Sequence, residues 1–443
     1  MDAAISSSEP TPLIRERTCA KRIRTPIVPA TTADHPAIHY FLEAVFDRNW
    51  AAEFRAACDD PNYRPGDRLL LRRGPRMLGH ARISRRTMQF DCCRVPACGL
   101  HELCIIPSLR RQGYGAYLLA AAERAMSEAG AQVGWLRTSA PHFFRRSGWA
   151  LCGRHNYSRA DARSLLAQLW QRGVPQRRGR VWHIRPWRQW ETGSLARIYQ
   201  QNLFGAFGWT VRDSEYWSWL LNRPAFDEIY VAIEGTDQLE LGERNTRLIG
   251  YSVVRGARII ELLTSPDRPR AALELLARIA TDALEHDRSD ITLHAPAEHP
   301  LHGVFLDAGG LHQHVQADRG EVYMARVLDP VRLMQSLAEL FRRRVERTRV
   351  GSPVELGFFV EGRKYLLEVN GDSVQASAHR LGRSYLAMNV ADFTRLLLGQ
   401  LDWDWALRDR RIECSTALAQ QLGRVLFPTV PLYRPVWDDW PLG

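Results

Sequence analysis

The sequence predicts a mixed α/β and α+β architecture of about three domains. The chain has 443 residues, and a domain typically takes roughly 150. Short apolar strands and amphipathic helices follow one another in the same order in two successive stretches, which indicates an internal duplication. From about residue 330, a helix gives way to several alternating strands, as is typical of an α+β domain.

The predicted limits follow changes in composition. The N-terminal segment contains Ser6-Ser7-Ser8 and a basic cluster without periodicity, so we expect a flexible arm there. Glycines and prolines between Arg172 and Arg180 mark the first boundary between folded units. The predicted divisions are the arm over 1–24, the first α/β unit over 25–172, the second over 181–328 and the α+β unit over 329–443.

Periodicity places the elements of each unit. In the first unit it predicts a helix over Ile38 to Phe46 and strands over Leu69 to Arg72, Met77 to Ile83, Leu100 to Ile106 and Val133 to Thr138. In the second it predicts strands over 228–233, 248–254, 259–263 and 291–294, with a helix over Ala271 to Leu284. In the third it predicts a helix over Leu333 to Arg344 and strands over 354–360, 364–369 and 373–377.

The net charge of +11 would suit several anionic partners. The basic residues are nearly all arginine and are scattered along the chain, with Lys21 and Lys364 the only lysines. Scattered charge of this kind is typical of a GC-rich genome and does not indicate a nucleic-acid groove, so we expect no nucleic-acid partner.

Cysteine usage and hydropathy indicate the redox state, metal content and location to expect for the protein. The eight cysteines show no paired C-x-x-C spacing, which predicts reduced thiols, no metal and a cytoplasmic protein. The adjacent Cys92 and Cys93 are interpreted as ordinary thiols, and His299, His302, His312 and His314 as a loop of solvated histidines. No apolar run reaches the roughly 18 residues of a membrane span, and Met1-Asp2 opens no signal pattern, so no membrane partner is expected.

The most informative stretch runs from Leu100 to Gly115. An apolar strand ends in Ile105-Ile106-Pro107 and leads into Arg110-Arg111-Gln112-Gly113-Tyr114-Gly115, after which an amphipathic helix begins. Glycines let a ligand approach the backbone closely, and a helix N-terminus favours negative charge. The pattern therefore predicts a pyrophosphate site, although a plain strand-to-helix turn would look similar.

This pattern, Arg-x-x-Gly-x-Gly/Ala behind an apolar strand, resembles the acyl-CoA signature of the GNAT acetyltransferase superfamily. Downstream, Phe143-Phe144-Arg145-Arg146-Ser147-Gly148-Trp149 is similar to that superfamily's Phe-Tyr-x-x-x-Gly-Phe segment. The resemblance implies acetyl-CoA as co-substrate, with the backbone of Leu103 and Ile105 pairing with the pantetheine arm. It also implies that the pyrophosphate is bound by the remaining cofactor residues, namely Arg110, Arg111, Gln112, Gly113, Tyr114, Gly115 and Ala116.

Acyl transfer to an amine needs a base, because the amine arrives protonated. His101 is the leading candidate, since strand alternation puts it on the same face as Leu103 and Ile105 and it matches a catalytic histidine of the arylalkylamine N-acetyltransferases. A histidine merely packed in the sheet is the alternative. Glu102 should point to the opposite face and be structural.

One position departs from the superfamily pattern. The tyrosine that commonly protonates the departing thiolate is Phe144 here, and a phenyl ring cannot donate a proton. Loss of a general acid typically costs about 10²- to 10⁴-fold. A thiol pKa near 8.5 nevertheless makes the thiolate a tolerable leaving group.

The three-unit plan resembles the enhanced intracellular survival (Eis) family of N-acetyltransferases. The resemblance implies tandem GNAT-fold units with the second degenerate, because Pro266 and Pro269 replace the glycine turn there. It also implies a sterol-carrier-like third domain, a closed homo-oligomer and entry of the terminal carboxylate, here that of Gly443, into the first unit's site. Family members usually end on an aromatic residue, so a surface tail is the alternative.

Three functions compete. The first is an N-acyltransferase acting on a small-molecule or protein amine. The second is a protein that binds CoA without turnover, an alternative that the missing general acid at Phe144 supports. The third is a basic nucleic-acid-binding protein, for which no module is present. The sequence does not determine the acceptor amine or the length of the acyl group.

Overall fold

The computed structural model describes residues 25–153, 156–174, 182–235, 247–314, 321–348, 353–371 and 373–439. The predicted arm over 1–24 and Gly443 lie outside these residues. Within them, no helix is long and apolar enough to cross a membrane.

Most of the first unit's elements precede residue 152. Its strands are β1 (Ile27–Pro29), β2 (Arg68–Arg73), β3 (Arg76–Phe90), β4 (Cys93–Ile105), β5 (Val133–Thr138) and β6 (Ala150–Leu151). Its helices are α1 (His35–Phe46), α2 (Ala51–Cys58), α3 (Tyr114–Glu128) and α4 (Pro141–Arg145). Helix α3 forms where it is predicted because Leu118, Ala122 and Met126 recur on one face and are buried against the sheet.

The second unit repeats this plan. Its strands are β7 (Tyr157–Asp161), β8 (Trp182–Pro186), β9 (Phe207–Thr210), β10 (Glu228–Glu234), β11 (Arg247–Arg255), β12 (Arg258–Thr264), β13 (Asp290–His294) and β14 (Leu311–Gln313). Its helices are α5 (Ala162–Gln171), α6 (Thr192–Leu203), α7 (Ser214–Asn222), α8 (Ala271–Glu285) and α9 (Leu301–Asp307).

The remaining elements form mostly the third unit. The strands are β15 (Val322–Val327), β16 (Val354–Val360), β17 (Arg363–Asn370), β18 (Ser373–Ala378), β19 (Tyr385–Met388) and β20 (Ile412–Cys414). The helices are α10 (Pro330–Ser336), α11 (Ala338–Glu346), α12 (Val390–Leu397), α13 (Trp403–Arg408) and α14 (Ala417–Leu426). The helix predicted over Leu333 to Arg344 is thus two helices. They turn at Leu337, which keeps buried side chains of both on one core.

Three sheets organise these elements. The first has the order β1-β2-β3-β4-β5-β15-β6, with β9 added to the far end of β3. The second has the order β14-β7-β13-β12-β11-β10-β8, and the third has the order β18-β17-β16-β19-β20. The predicted hairpin at Asn370-Gly371 is present, since Asn370 pairs with Ser373.

The sheets divide the chain differently from the predicted boundary at 172–181. Strand β7 precedes that boundary but pairs with β13 and β14 of the second sheet. Strand β15 lies at the end of the predicted second unit but pairs with β5 and β6 of the first sheet. Each sheet is therefore completed by a strand from the other stretch of chain, and periodicity carries no information on which strand pairs with which.

Candidate active site

A cavity of about 1300 Å³ lies where three parts of the molecule meet. One wall comes from β3, β4 and the end of β5, and a second from α1 and α2. The C-terminal segment, residues 432–439, and Trp219 of α7 close it from the side of the second unit. The predicted segment Leu100 to Gly115 lines this cavity.

A gap in the first sheet opens the cavity. Strands β4 and β5 are paired in parallel from Ala97 and Val133 to Gly99 and Trp135. Beyond that point they separate, although β4 continues to Ile105 and β5 to Thr138. A β-bulge helps to turn β4 away, because the register with β3 shifts between His80 and Arg82. The backbone edge of β4 is thereby free to pair with an inserted extended chain.

The bulge also changes one sequence-based expectation. Glu102 sits in it with φ of 55°, so the simple alternation that put His101 on the same face as Leu103 and Ile105 is interrupted. All three nevertheless line the cavity, as does Glu102 itself. A bulge is not visible in the sequence, because nothing in the pattern marks the extra residue.

The glycine turn, Pro107 to Gly113, ends the strand and opens α3. Arg111 and Gly113 both have left-handed backbones, with φ of 61° and 89°. The first helical amide to bond backward is that of Tyr117, which donates to the Gly113 carbonyl at 3.0 Å. Among the described residues, the amides of 112–116 donate to no backbone carbonyl. Five successive donors at a helix N-terminus form an anion site.

Side chains of the turn hold this backbone. Gln112 Nε2 donates to the Ser108 carbonyl at 2.9 Å, and Arg110 Nε donates to the Ile105 carbonyl at 3.1 Å. Gly115 lies against the Phe143 ring, and a methyl group there would approach it to 3.3 Å. Arg111 is exposed at the cavity wall. The two side-chain hydrogen bonds therefore hold the shape of the turn, and the exposed Arg111 guanidinium can bind an anion.

His101 is positioned by a contact that the sequence analysis missed. Its Nε2 lies 2.8 Å from Ser84 Oγ on the neighbouring strand. Gly99 makes this possible, since a methyl group at 99 would lie 2.5 Å from His101 Nε2 and 2.6 Å from Ser84 Oγ. A glycine two residues before the histidine, in an otherwise apolar strand, was the available signal.

Burial lowers the pKa of His101 to about 3, and Arg82 adds to this effect, while Asp439 opposes it. The ring is therefore neutral at physiological pH. A neutral imidazole facing a cavity can accept a proton.

Glu102 is structural, as expected, although it contributes to the cavity wall. It accepts hydrogen bonds from Arg68 at 2.6 Å and from Arg82 at 2.8 Å. Burial alone would raise the pKa of Glu102, but Arg82 and Arg68 hold it well below its ordinary value. The carboxylate is ionised and fully engaged.

The C-terminal segment brings two acids into the cavity. Asp439 is paired with Arg434, whose guanidinium lies over the Trp135 ring at 4.1 Å. Burial would raise the pKa of Asp439, but Arg434 and also His101 keep it below its ordinary value. Asp438 accepts from Arg212 at 3.0 Å and from Tyr216 at 3.1 Å. The family pattern pointed to Gly443, which lies outside the described residues, and gave no signal for these two side chains.

Phe144 is buried in the core under the cavity. Its ring packs edge-on against Phe143 and Trp149, at 4.9 Å and 6.1 Å between centroids. Trp149 is held in turn by a 2.8 Å hydrogen bond to Glu123. The position of the usual tyrosine is thus taken by a packed phenyl ring.

Of the four histidines predicted to form a solvated loop, His302 is buried, His299 and His312 are half-buried, and His314 is exposed. His302 is buried and its two ring nitrogens bond Ser158 Oγ at 2.8 Å and the Pro296 carbonyl at 2.9 Å. Its ring stacks on His312 at 3.9 Å. Burial of a polar ring is favourable here because both nitrogens are satisfied. In the described part of the chain, no group of three or more His, Cys, Asp or Glu is placed to hold a metal ion.

The comparisons with known proteins bear on the first unit. A family model described as an acetyltransferase (GNAT) domain matches residues 26–152. The chain contains a GNAT acetyltransferase domain. The strand gap, the glycine turn and His101 all lie within this GNAT domain. No curated protein sequence matches the chain.

Solved structures extend the likeness in fold to almost the whole chain. A GCN5-related N-acetyltransferase from Anabaena variabilis aligns with a TM-score of 0.71 at 15% identity, covering 93% of this chain and 99% of its own. One from Kribbella flavida gives 0.65 at 16%, covering 92% and 97%. Eis1 from Mycobacterium abscessus gives 0.62 at 18%, covering 92% and 98%. The fold is thus a tandem GNAT-like arrangement followed by a third unit.

Proposed function

We propose that the protein is an N-acetyltransferase that moves an acetyl or short acyl group from acetyl-CoA to a primary amine by direct attack on the thioester. The observation that carries the proposal is the gap between β4 and β5, which opens directly beside the free amides of the glycine turn. A strand edge next to an anion site suits a CoA molecule, whose amide-containing arm ends in a pyrophosphate.

Each part of CoA has a counterpart in the cavity. The pantetheine arm pairs with the backbone of Leu103 and Ile105 at the edge of β4, as an added strand would. The pyrophosphate binds the amides of 112–116, with the Arg111 guanidinium beside it. Amides at the divergent end of β4 polarise the thioester carbonyl as negative charge develops on its oxygen.

His101 is the proposed proton acceptor for the attacking amine. Its ring is neutral, it is held by Ser84, and the Asp439 carboxylate favours the protonated ring as it forms. The ammonium group first gives up one proton to solvent, and the neutral nitrogen then forms a bond to the carbonyl carbon. A second proton passes from that nitrogen to His101, and the C–S bond breaks to release CoA thiolate. Phe144 supplies no proton, so the thiolate leaves unprotonated or takes its proton from solvent.

The C-terminal segment supports an Eis-like arrangement. Asp439 lies in the cavity four residues before the chain end, so the terminal carboxylate of Gly443 remains a candidate for the same proton path. The fold likeness to Eis1 supports the three-unit plan. The sterol-carrier character of the third unit, the closed oligomer and the cytoplasmic location stay predictions.

Calorimetry with acetyl-CoA, followed by amine-dependent thiol release, tests this proposal. His101→Gln should keep the affinity for acetyl-CoA and lower kcat by about 10²- to 10⁴-fold. His183→Gln, an exposed histidine of β8, is the matched control. Binding without thiol release across a broad amine panel would instead favour a CoA-binding protein that lacks turnover. If acetyl-CoA does not bind at all, both the acetyltransferase and the CoA-binding protein are refuted.

A further inference from the structure

Two cysteine sulfurs are in contact at the tip of the hairpin between β3 and β4. Phe90 pairs with Cys93, so Asp91 and Cys92 form a two-residue loop, and Asp91 has a left-handed backbone with φ of 53°. Side chains of adjacent strand residues normally point to opposite faces. The turn brings these two together, because the Cys92 and Cys93 Sγ atoms lie 3.7 Å apart.

The two thiols differ in their access to solvent. Cys92 is half-buried in the loop, whereas Cys93 is buried with 6% of its surface exposed. Burial raises the pKa of the Cys93 thiol to about 12, although the Leu340 amide of α11 favours its thiolate. Cys93 is therefore a neutral thiol at physiological pH, and Cys92 is the sulfur that a small solute reaches first.

Two arginines of α11 lie beside this pair. Arg343 and Arg344 are close enough to Cys92 for electrostatic interaction, and Arg344 also interacts with Cys93 and Asp91. A nearby guanidinium favours the thiolate, which is the reactive form of cysteine. Cys92 thus combines access to solvent, positive charge and a second thiol in contact, as redox-active cysteines do.

The pair lies where the three units meet. The hairpin belongs to the first unit, and the Asp91 amide donates to the Ala206 carbonyl of the second unit at 2.8 Å. Cys93 belongs to the hydrophobic core that contains Leu340 of the third unit. A covalent change at the two sulfurs would therefore act on a contact that all three units share.

We propose that Cys92 and Cys93 form a redox site that a hydroperoxide converts reversibly into a disulfide. The Cys92 thiolate attacks the O–O bond, which leaves a sulfenic acid on Cys92 and releases water or an alcohol once the departing oxygen takes up a proton. The Cys93 sulfur then attacks the Cys92 sulfur, and the sulfenic oxygen leaves as water with the Cys93 proton. The two thiols lose two electrons, and the peroxide gains them.

Reversal follows from the adjacency of the two residues. Consecutive Cα atoms are about 3.8 Å apart, whereas a disulfide usually joins Cα atoms roughly 4.4–6.8 Å apart. A ring closed between adjacent cysteines is therefore strained, and strained disulfides are reduced more easily. Reduced glutathione should restore both thiols.

Treatment of the reduced full chain with hydrogen peroxide, followed by mass spectrometry of its tryptic peptides, tests the site. Trypsin cleaves after Arg86 and Arg94, so the peptide 87–94 contains Cys92 and Cys93 and no other cysteine. Its mass should fall by two hydrogens and recover with reduced glutathione. Unchanged thiols, oxygen retained on Cys92, or a disulfide to another cysteine would overturn the proposal. So would a disulfide that glutathione leaves intact.

Single variants separate the roles of the two sulfurs. Cys93→Ser should leave Cys92 without a thiol to condense with, so its sulfenic acid should gain a further oxygen. Cys92→Ser should leave the buried Cys93 unmodified. Cys414→Ser, at a half-buried cysteine of β20, is the matched control and should form the disulfide as the wild type does. Oxidation of Cys93 at the wild-type rate in Cys92→Ser would overturn the assignment of Cys92 as the attacking sulfur.

The contribution of α11 is tested with two neighbouring arginines. Arg342 and Arg343 both pair with Glu339, and Arg343 also interacts with Cys92. Arg343→Gln should slow disulfide formation about threefold, and Arg342→Gln should leave its rate unchanged. Equal rates in the two variants would refute activation of Cys92 by Arg343.

Discussion

The two α/β units contain the same corner, at which a strand leaves its parallel neighbour and a turn leads into a helix, yet only one corner is open. In the second unit, β12 pairs with β13 only at Arg258 and Ile259 before the strands part. Strands β4 and β5 of the first unit separate in the same way after a short paired stretch. The difference between the corners lies in the turn and in what fills the gap.

In the second unit, amides of the turn between β12 and α8 donate hydrogen bonds within the turn itself. The N–H groups of Arg268, Ala271 and Ala272 each donate to a carbonyl three residues earlier, at 2.8 to 3.2 Å. Pro266 and Pro269 have no N–H to offer. The corresponding turn of the first unit leaves the amides of 112–116 free. The same strand-turn-helix corner thus forms an anion site only where its amides are left without internal partners.

The second gap is occupied by side chains. Glu261 of β12 accepts two hydrogen bonds from Arg212, at 2.8 and 2.7 Å, and Arg212 also binds Asp438. Trp437 packs into the same core. The second unit therefore contacts the C-terminal segment at this corner and holds it against the first unit's cavity.

The largest expected effect follows from breaking that internal contact. Arg212→Met would leave the Glu261 and Asp438 carboxylates buried without their shared cation, which typically costs about 3–5 kcal/mol. The melting temperature should fall by several degrees or more. Arg424→Met removes an exposed pair with Asp404 and should lower the melting temperature much less. Equal losses in the two variants would mean that the buried cluster does not hold the segment.

A pair of glycines with left-handed backbones tests the glycine turn next: Gly113 ends that turn, and Gly256 lies in the β11–β12 hairpin. Gly113 and Gly256 both have positive φ, of 89° and 62°, so alanine should strain each by about 1–2 kcal/mol. Only Gly113→Ala should weaken acetyl-CoA binding, by about tenfold, because only that turn presents its amides to a phosphate. Calorimetry on both variants decides this. Equal affinities of the two variants for acetyl-CoA would mean that its phosphates do not bind at the glycine turn.

The smallest effect concerns pH. Folding lowers the pKa of His101 from 6.5 to about 3, so between these values the unfolded chain binds more protons than the folded one. The stability from the neutral ring is complete above pH 6.5 and is lost as the pH falls toward 3. From pH 6.5 to 5 this amounts to about 1–2 kcal/mol.

His101→Gln should therefore lose less stability than the wild type between pH 7 and pH 5, as urea midpoints would measure. A variant of the exposed His286 should keep the wild-type slope. An identical slope in His101→Gln would assign the pH dependence to other groups, such as the buried His80, whose pKa is also lowered to about 3 by burial.

The local structure follows from the sequence alone. The strand over Val133 to Thr138, the helix after the glycine turn and the hairpin at Asn370-Gly371 all follow from periodicity and turn chemistry, which act over a few residues. The acyl-CoA turn was found for the same reason, since its glycines, arginines and preceding strand lie within about fifteen positions. The family model over 26–152 supports that prediction.

The cavity, in contrast, depends on contacts between distant parts of the chain. The exchange of β7 and β15 between sheets, the bulge at Glu102 and the position of Asp438 depend on strand register and burial among residues far apart in the chain. Ser84 and His101 are 17 residues apart and meet only because two strands pair in one register. Local pattern cannot fix such pairings, because the free energy that selects them comes from packing the whole core.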